Sequence, residues 1–239
     1  TGGMKFNHAF ALYFILKKIN PEMVIESGVF KGQSTWLIEK TLPKAKLTCL
    51  DIDLTKRVYV SEKAHYSNLD FRFHDFSNIP KNTLVFFDDH VNHIERIKDA
   101  NYFKIKNIIL EDNYSSNSGD FQTIKQCYEK HNFIHQLSTL SLLKTFFLFI
   151  KILLKKILIN KYNASYDLYL LHNRIRDHHS HNDEFNNLNK IIETYYEFPP
   201  ISNQQLDFNR SIFVEKSEKL KNYQSELKFY SFLTYIKLK

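Results

Sequence analysis

Apolar side chains in this chain gather into short unbroken runs, and stretches with helical spacing fall between them. Residues 8–19 (His-Ala-Phe-Ala-Leu-Tyr-Phe-Ile-Leu-Lys-Lys-Ile) are apolar on most faces and hold no breaker before Pro21, so they predict a helix. Runs at 23–27, 47–53, 71–76, 83–88 and 107–110 have the length and apolar content of buried strands. Segments 32–42, 91–102 and 121–131 read as helices, the first ending before Pro43. Short apolar strands alternating with helices predict a parallel sheet covered on both faces.

The pattern changes after residue 137. Residues 139–159 are mostly large and apolar, with Lys144, Lys151 and Lys155 spaced so that a helix carries them as one stripe. Four lysines within this stretch argue against a membrane span, at about 2.5–3.5 kcal/mol per central charge. Two placements stay open: a helix lying in a membrane interface, or one packed on the domain or on a second subunit. Residues 172–190 are polar, rich in His and Asn, and predict a loop or lid; their histidines read as a solvated loop rather than a metal tract. Pro199-Pro200 marks a rigid break within 195–201. Residues 228–239 alternate as a closing strand, with 211–215 as the expected partner. The expected divisions are a core at 4–137, a helical insertion and lid at 138–194, and completing strands at 195–239.

Composition narrows the class. At 43% hydrophobic and 25% charged, 239 residues suffice to bury one sizeable core. Two cysteines, Cys49 and Cys127, exclude a disulfide scaffold and a four-cysteine zinc site. The net charge of +7 favours an anionic neighbourhood, but the basic residues are scattered rather than interleaved with aromatics, which speaks against nucleic acid. Thr1-Gly2-Gly3 ahead of Met4 reads as a cloning remnant and no secretory signal follows. The expectation is a cytoplasmic protein, peripheral at the inner membrane face where 139–159 meets lipid.

In parallel sheets ligands sit beyond the carboxyl ends of the strands, and here those ends are acidic. The five runs finish with Glu26-Ser27-Gly28, Asp51-Ile52-Asp53, His74-Asp75, Asp88-Asp89-His90 and Glu111-Asp112-Asn113. Two of only five glycines, Gly28 and Gly32, stand four apart where the first strand meets a helix. Gly28 permits a sharp turn, and Gly32 lets a ligand approach the helix start. The spacing is not that of the nicotinamide fingerprint. Asp51, ending the neighbouring strand, is placed to accept hydrogen bonds from ribose hydroxyls.

The stretch Val24-Ile-Glu-Ser-Gly-Val-Phe-Lys-Gly-Gln-Ser-Thr35, with an acid ending the next strand, resembles the class I S-adenosylmethionine-dependent methyltransferases. Together with Asp88-Asp89-His90 and Glu111-Asp112-Asn113 it is similar to metal-dependent O-methyltransferases of the macrocin, cephalosporin-hydroxylase-like and catechol types, over about residues 20–132. The resemblance implies a Rossmann-like α/β sheet, mostly parallel, of about seven strands with an antiparallel last strand and a helical insertion after strand five. It further implies that Glu26, Gly28 and Gly32 line the methionine and ribose side, Asp51 the ribose, and Asp75 with Phe76 the adenine. Phe30, Ser34, Thr35 and Asp88 complete that expected cofactor set.

Acidic residues on adjacent strand tips, about 4.8 Å apart, can converge on one cation. Asp88, Asp89, Glu111, Asp112 and Asn113 are the candidate ligands, and a hard dication such as Mg²⁺ would relieve their mutual repulsion. Macrocin-type enzymes suggest Glu111 with Asp112, the catechol pattern Asp112 with Asn113. Neighbouring strand residues face opposite ways, which leaves Asp88 and Asp89 as alternatives. The macrocin-type general base is the histidine of an Asp-x-x-His; neither aspartate has one at that spacing, and His90 and His93 are the candidates instead.

The expected function is methyl transfer to a hydroxyl of a sugar or glycan, glycolipid-linked where 139–159 meets a membrane, by an enzyme that can also self-associate. Two rivals are a non-catalytic interaction module of the same fold and an oxidoreductase. The second is disfavoured by the glycine spacing and by the lack of a His/His/carboxylate set for iron.

Overall fold

The computed structural model describes residues 3–115, 119–128, 150, 187–188, 190–198 and 232–239. Among the described residues the helices α1 (Phe6–Ile19), α2 (Gln33–Thr41), α3 (His93–Tyr102) and α4 (Ile124–Tyr128) accompany seven strands. The strands are β1 (Met23–Ser27), β2 (Lys46–Leu50), β3 (Ala64–Ser67), β4 (Thr83–Phe87), β5 (Asn107–Asn113), β6 (Ile192–Phe198) and β7 (Phe232–Leu238). They form one sheet in the order β3-β2-β1-β4-β5-β7-β6. The pairings from β3 through β5 are parallel, and β7 runs antiparallel to both β5 and β6.

Both faces of the central strands are buried, which explains why their sequences read as continuous apolar runs. Alternate residues serve different cores. Val24, Leu84, Phe86 and Ile109 pack with Leu12, Leu16 and Ile38 from α1 and α2. Ile25, Val85, Phe87, Ile108 and Leu110 pack with Ile94 and Ile97 of α3 and Ile124 of α4. Each such side chain, fully buried, contributes about 1.5–3 kcal/mol relative to exposure.

Two expectations need correction. The third strand is Ala64–Ser67, not 71–76. It lies at the sheet edge and pairs only with β2, so its alternating half-exposed residues lack the apolar run that marks the inner strands. Residues Phe71–Phe73 instead form a 3₁₀ turn capped by Asp70, whose side chain accepts from Arg72 N. Phe71 and Phe76 drive this segment into the α3-side core, with ring centroids 4.9 Å apart. The partner of the closing strand is β6, which begins at Ile192 inside the expected lid; residues 211–215 lie outside the described residues. The lysine-striped stretch 139–159 lies outside them too, apart from Ile150, as does most of 172–190. Among the described residues no helix is long and apolar enough to cross a membrane.

Candidate active site

The carboxyl ends of β1, β2 and β4 and the turn after β3 open into one cleft of about 820 Å³, within the range of cofactor pockets. Its floor is the turn from β1 into α2. Gly28 and Gly32 both take left-handed conformations, φ +96° and +84°. A Cβ on Gly28 would lie 2.0 Å from the Asp88 carbonyl oxygen, and one on Gly32 would lie 2.4 Å from that of Tyr59. The protein's own backbone, not a ligand, therefore requires glycine at Gly32. Asp51 secures the turn: Oδ2 accepts from Val29 N (2.8 Å) and Phe30 N (2.9 Å), and Oδ1 from Asp53 N (2.8 Å). Three of the roughly four acceptor sites of a carboxylate are thus occupied, which leaves room for one ribose hydroxyl rather than two.

Of the expected cofactor residues, Gly28, Phe30, Gly32, Ser34, Asp51 and Asp88 line this cleft. Glu26, Thr35, Asp75 and Phe76 do not. Glu26 is fully buried beneath the turn, where Oε2 accepts from Thr35 Oγ1 (2.6 Å) and Cys49 Sγ (3.2 Å). Asp75 is exposed and accepts from Ser77 N, and Phe76 is core. The misplaced third strand caused this error: its true tip delivers Leu69 and Asp70 to the cleft. Ile52, Val58 and Leu69, beside the carboxylates of Asp51 and Asp53, offer apolar walls and acceptors that fit an adenosine, whereas the Asp70 carboxylate on the same wall is engaged by Arg96 and Arg72.

Burial pushes the Glu26 carboxyl up to about 7, against the lowering effect of the Ser34, Thr35 and Cys49 hydrogen bonds. Its folded pKa thus lies above the unfolded value of 4.5, so its contribution to stability is lost as pH rises from 4.5 through 7. The loss amounts to about 3 kcal/mol. Glu26→Gln keeps an oxygen for Thr35 and Cys49 but cannot ionise. In urea melts the difference between variant and wild type should grow in the variant's favour by about 2–3 kcal/mol between pH 4 and 8. Parallel pH profiles would contradict this reading.

Strand alternation separates the two aspartates. Asp88 continues the α1-side row of Leu84 and Phe86, and Asp89 the α3-side row of Val85 and Phe87. Asp89 accepts from Ser27 Oγ (2.5 Å) and pairs with Arg96 Nη2 (2.7 Å), so its carboxylate belongs to a guanidinium network and not to the candidate cation cluster. Arg96, only 1% exposed, also binds Asp70 (2.6 Å) and Asp99 (3.1 Å). Burial alone would raise Asp70, but Arg96 outweighs it and holds the carboxyl at about 2. Arg96→Leu removes the buried guanidinium from Asp89 and leaves Asp70 and Asp99 only the half-exposed Arg72, and should cost about 3–5 kcal/mol in urea unfolding; a loss below 1 kcal/mol would discount the network.

On the other face Asp88 meets the tip of β5. Glu111 follows the α1-side row of Ile109, and alternation would send Asp112 the opposite way. The β5–β7 register shifts between Leu110 and Asn113, and Asp112 takes a left-handed conformation (φ +54°). That bulge re-aims its side chain, a known use of bulges near sites. Ligand atoms of Asp88, His90 and Asp112 lie within 4.8 Å of one another, as do those of Glu111, Asp112 and His8. Phe30, His90 and Asp112 are three of the five non-glycine residues with positive φ among the described residues, and all three line the cleft. Each such residue costs on the order of 1–3 kcal/mol, held in place by the surrounding structure.

The donor set fits a dication. Burial first, then the charges of their neighbours, drive Asp88 and Glu111 well above the usual carboxylate range. A cation between them removes that penalty. Asn113 does not join: Nδ2 donates to Tyr195 Oη (3.1 Å) and Thr234 Oγ1 (2.5 Å), and Oδ1 accepts from Lys125 N (2.9 Å). His93 is likewise committed, Nε2 donating to Glu111 O (3.1 Å) and Nδ1 accepting from Ile124 N (3.3 Å). Burial pushes its pKa down to about 4, and it acts as a strut between α3, β5 and α4. His90 stands at the cleft edge with Nδ1 3.2 Å from Asp120, which lifts its pKa to about 9.

The sequence reading missed His8, Leu69, Asp70, Tyr114 and Asp120. His8 gave the best signal, a lone imidazole in a mostly apolar helix. It is 3% exposed, and its Nδ1 lies 2.5 Å from Glu111 Oε1.

Neither a protein-family model nor a curated protein sequence matches this chain. Among solved structures, a Klebsiella pneumoniae protein with a provisional O-methyltransferase assignment superposes on 100% of this chain and 83% of its own, at 11% identity and a TM-score of 0.50. The S-adenosylhomocysteine-bound methyltransferase PaMTH1 of Podospora anserina matches 97% of this chain and 77% of its own, at 9% identity and a TM-score of 0.46. The complex of cmcI-N160 with the same product matches 46% of this chain at 16% identity and a TM-score of 0.42, and the match spans 62% of its length. The fold is that of the class I methyltransferases, as the Klebsiella superposition and the sheet order show together.

Proposed function

We propose that this chain is an S-adenosylmethionine-dependent O-methyltransferase assisted by a divalent cation, acting on a hydroxyl of a sugar or glycan. One observation carries the reading: a single cleft joins adenosine-compatible walls at β1–β3 to a carboxylate–imidazole cluster at β4 and β5. In the reaction a carbon–oxygen bond forms as the sulfonium–carbon bond breaks, and the hydroxyl proton leaves. A bound dication would supply an electrophile that draws the acceptor oxygen in and favours its deprotonated form. The turn held by Asp51 and the rigid tips of β4 and β5 fix donor and acceptor sides relative to each other, and such positioning is the main source of rate here. His93, with both nitrogens engaged, cannot take the proton; His90, held at the cleft edge by Asp120, can take it only in its neutral form, so with a pKa lifted to about 9 it would serve as base only as pH rises toward that value. Vicinal oxygens of a sugar suit a cation with two open positions, which is the basis for the acceptor class.

Isothermal calorimetry is expected to show S-adenosylmethionine and S-adenosylhomocysteine binding one per chain. No heat with either ligand, with or without dication, would remove the reading.

A further inference from the structure

The acidic tips of β4 and β5 are not closed by acids alone. The first turns of α1 place His8 over Glu111, 103 residues distant in sequence, with both side chains buried. Its Nδ1, a Glu111 oxygen and an Asp112 oxygen lie within 4.8 Å of one another, and all three residues face the cleft. The neighbouring segment is pinned to the same rim, since Gln33 Nε2 donates to Met4 O (3.0 Å) and Met4 is core. Of the two other imidazoles nearby, His93 is committed to Glu111 O and Ile124 N, and His90, although within 4.8 Å of Asp88 and Asp112, has Nδ1 turned to Asp120 and is far more exposed.

Mg²⁺ seeks oxygen donors, whereas imidazole donors suit first-row transition ions. We propose that His8, Glu111 and Asp112 hold the cation, and that the centre therefore takes a transition dication such as Co²⁺ or Mn²⁺ in preference to Mg²⁺. This rests on the cation-assisted reading above. It makes α1 a part of the metal centre, so that the ion also ties the helix to β5. His8 is a ligand in this arrangement, and His90 stays outside the coordination sphere.

The experiment uses the whole chain loaded with metal alone. Calorimetric titration with CoCl₂ and MgCl₂ should give at least a tenfold preference for Co²⁺. His8→Gln should lower Co²⁺ affinity by tenfold or more while changing Mg²⁺ affinity less than threefold. Circular dichroism and thermal melting confirm that the variant is folded. Electron spin-echo envelope modulation of bound Mn²⁺ requires no change at residue 8: wild type should show one imidazole-nitrogen coupling, retained in His90→Gln. Absence of that coupling in wild type, its loss in His90→Gln, or equal Co²⁺ and Mg²⁺ affinities would overturn the assignment while leaving cation binding intact. If no dication binds at all, the cation-assisted reading falls with it.

Discussion

Asp112→Asn is expected to lower methyl transfer at least 100-fold, equivalent to about 2.7 kcal/mol of transition-state stabilisation, while leaving the melting temperature unchanged or higher. Asp112 contributes to both three-residue ligand groups, so no other single change weakens the cluster as much. Asparagine is the informative replacement because it tolerates the left-handed backbone that Asp112 adopts, whereas most residues would add strain. It also removes one of the charges that raise Asp88 and Glu111, which relieves the unliganded fold. Loss of activity and of cation affinity without loss of stability identifies a functional carboxylate. Activity within threefold of wild type on a methylatable acceptor would show that the cluster is not part of the chemistry.

Gly28→Ala should be the most destabilising single-methyl change in the described chain, costing about 4 kcal/mol or more. Two effects add. The left-handed backbone at φ +96° penalises any Cβ by about 1–2 kcal/mol. The new methyl would also stand 2.0 Å from the Asp88 carbonyl oxygen and 2.4 Å from its carbon. Neither neighbour can retreat cheaply, because Gly28 N donates to Leu50 O (2.8 Å) and Asp88 N donates to Ser27 O (2.7 Å). The variant should melt roughly 10 °C or more below wild type. A shift under 3 °C would mean that the turn and β4 part easily, contrary to their close registry. Gly119→Ala is the control, since its added methyl meets the Tyr114 ring, a side chain that can move.

The inner sheet was legible because its strands are buried on both faces, and continuous apolar runs survive in the sequence as a direct record of that burial. β1 was read to the residue, and β2 and β4 to within a few residues, for that reason. β3 was missed because an edge strand needs apolar residues on neither face in full, and the nearby phenylalanines at 71, 73 and 76 imitate a strand. From that error followed the placing of Asp75 at the cleft; Asp75 is exposed elsewhere, and Asp70 is the residue that lines it. The choice between Asp88 and Asp89 required knowing which helices cover which face, a fact set by the crossovers and not by the local residues.

The amino-acid sequence by itself determined the layered α/β architecture, the strand–glycine–helix turn and the concentration of acids at strand tips, since burial and backbone sterics act locally and leave periodic marks. Only the tertiary structure decided which acids converge. A bulge turned Asp112 back toward Glu111, Arg96 drew Asp89 away, and α1 carried His8 across 103 residues to the same point. Those outcomes depend on long-range packing and on the backbone twisting out of alternation, and neither leaves a trace in the spacing of residues along the chain.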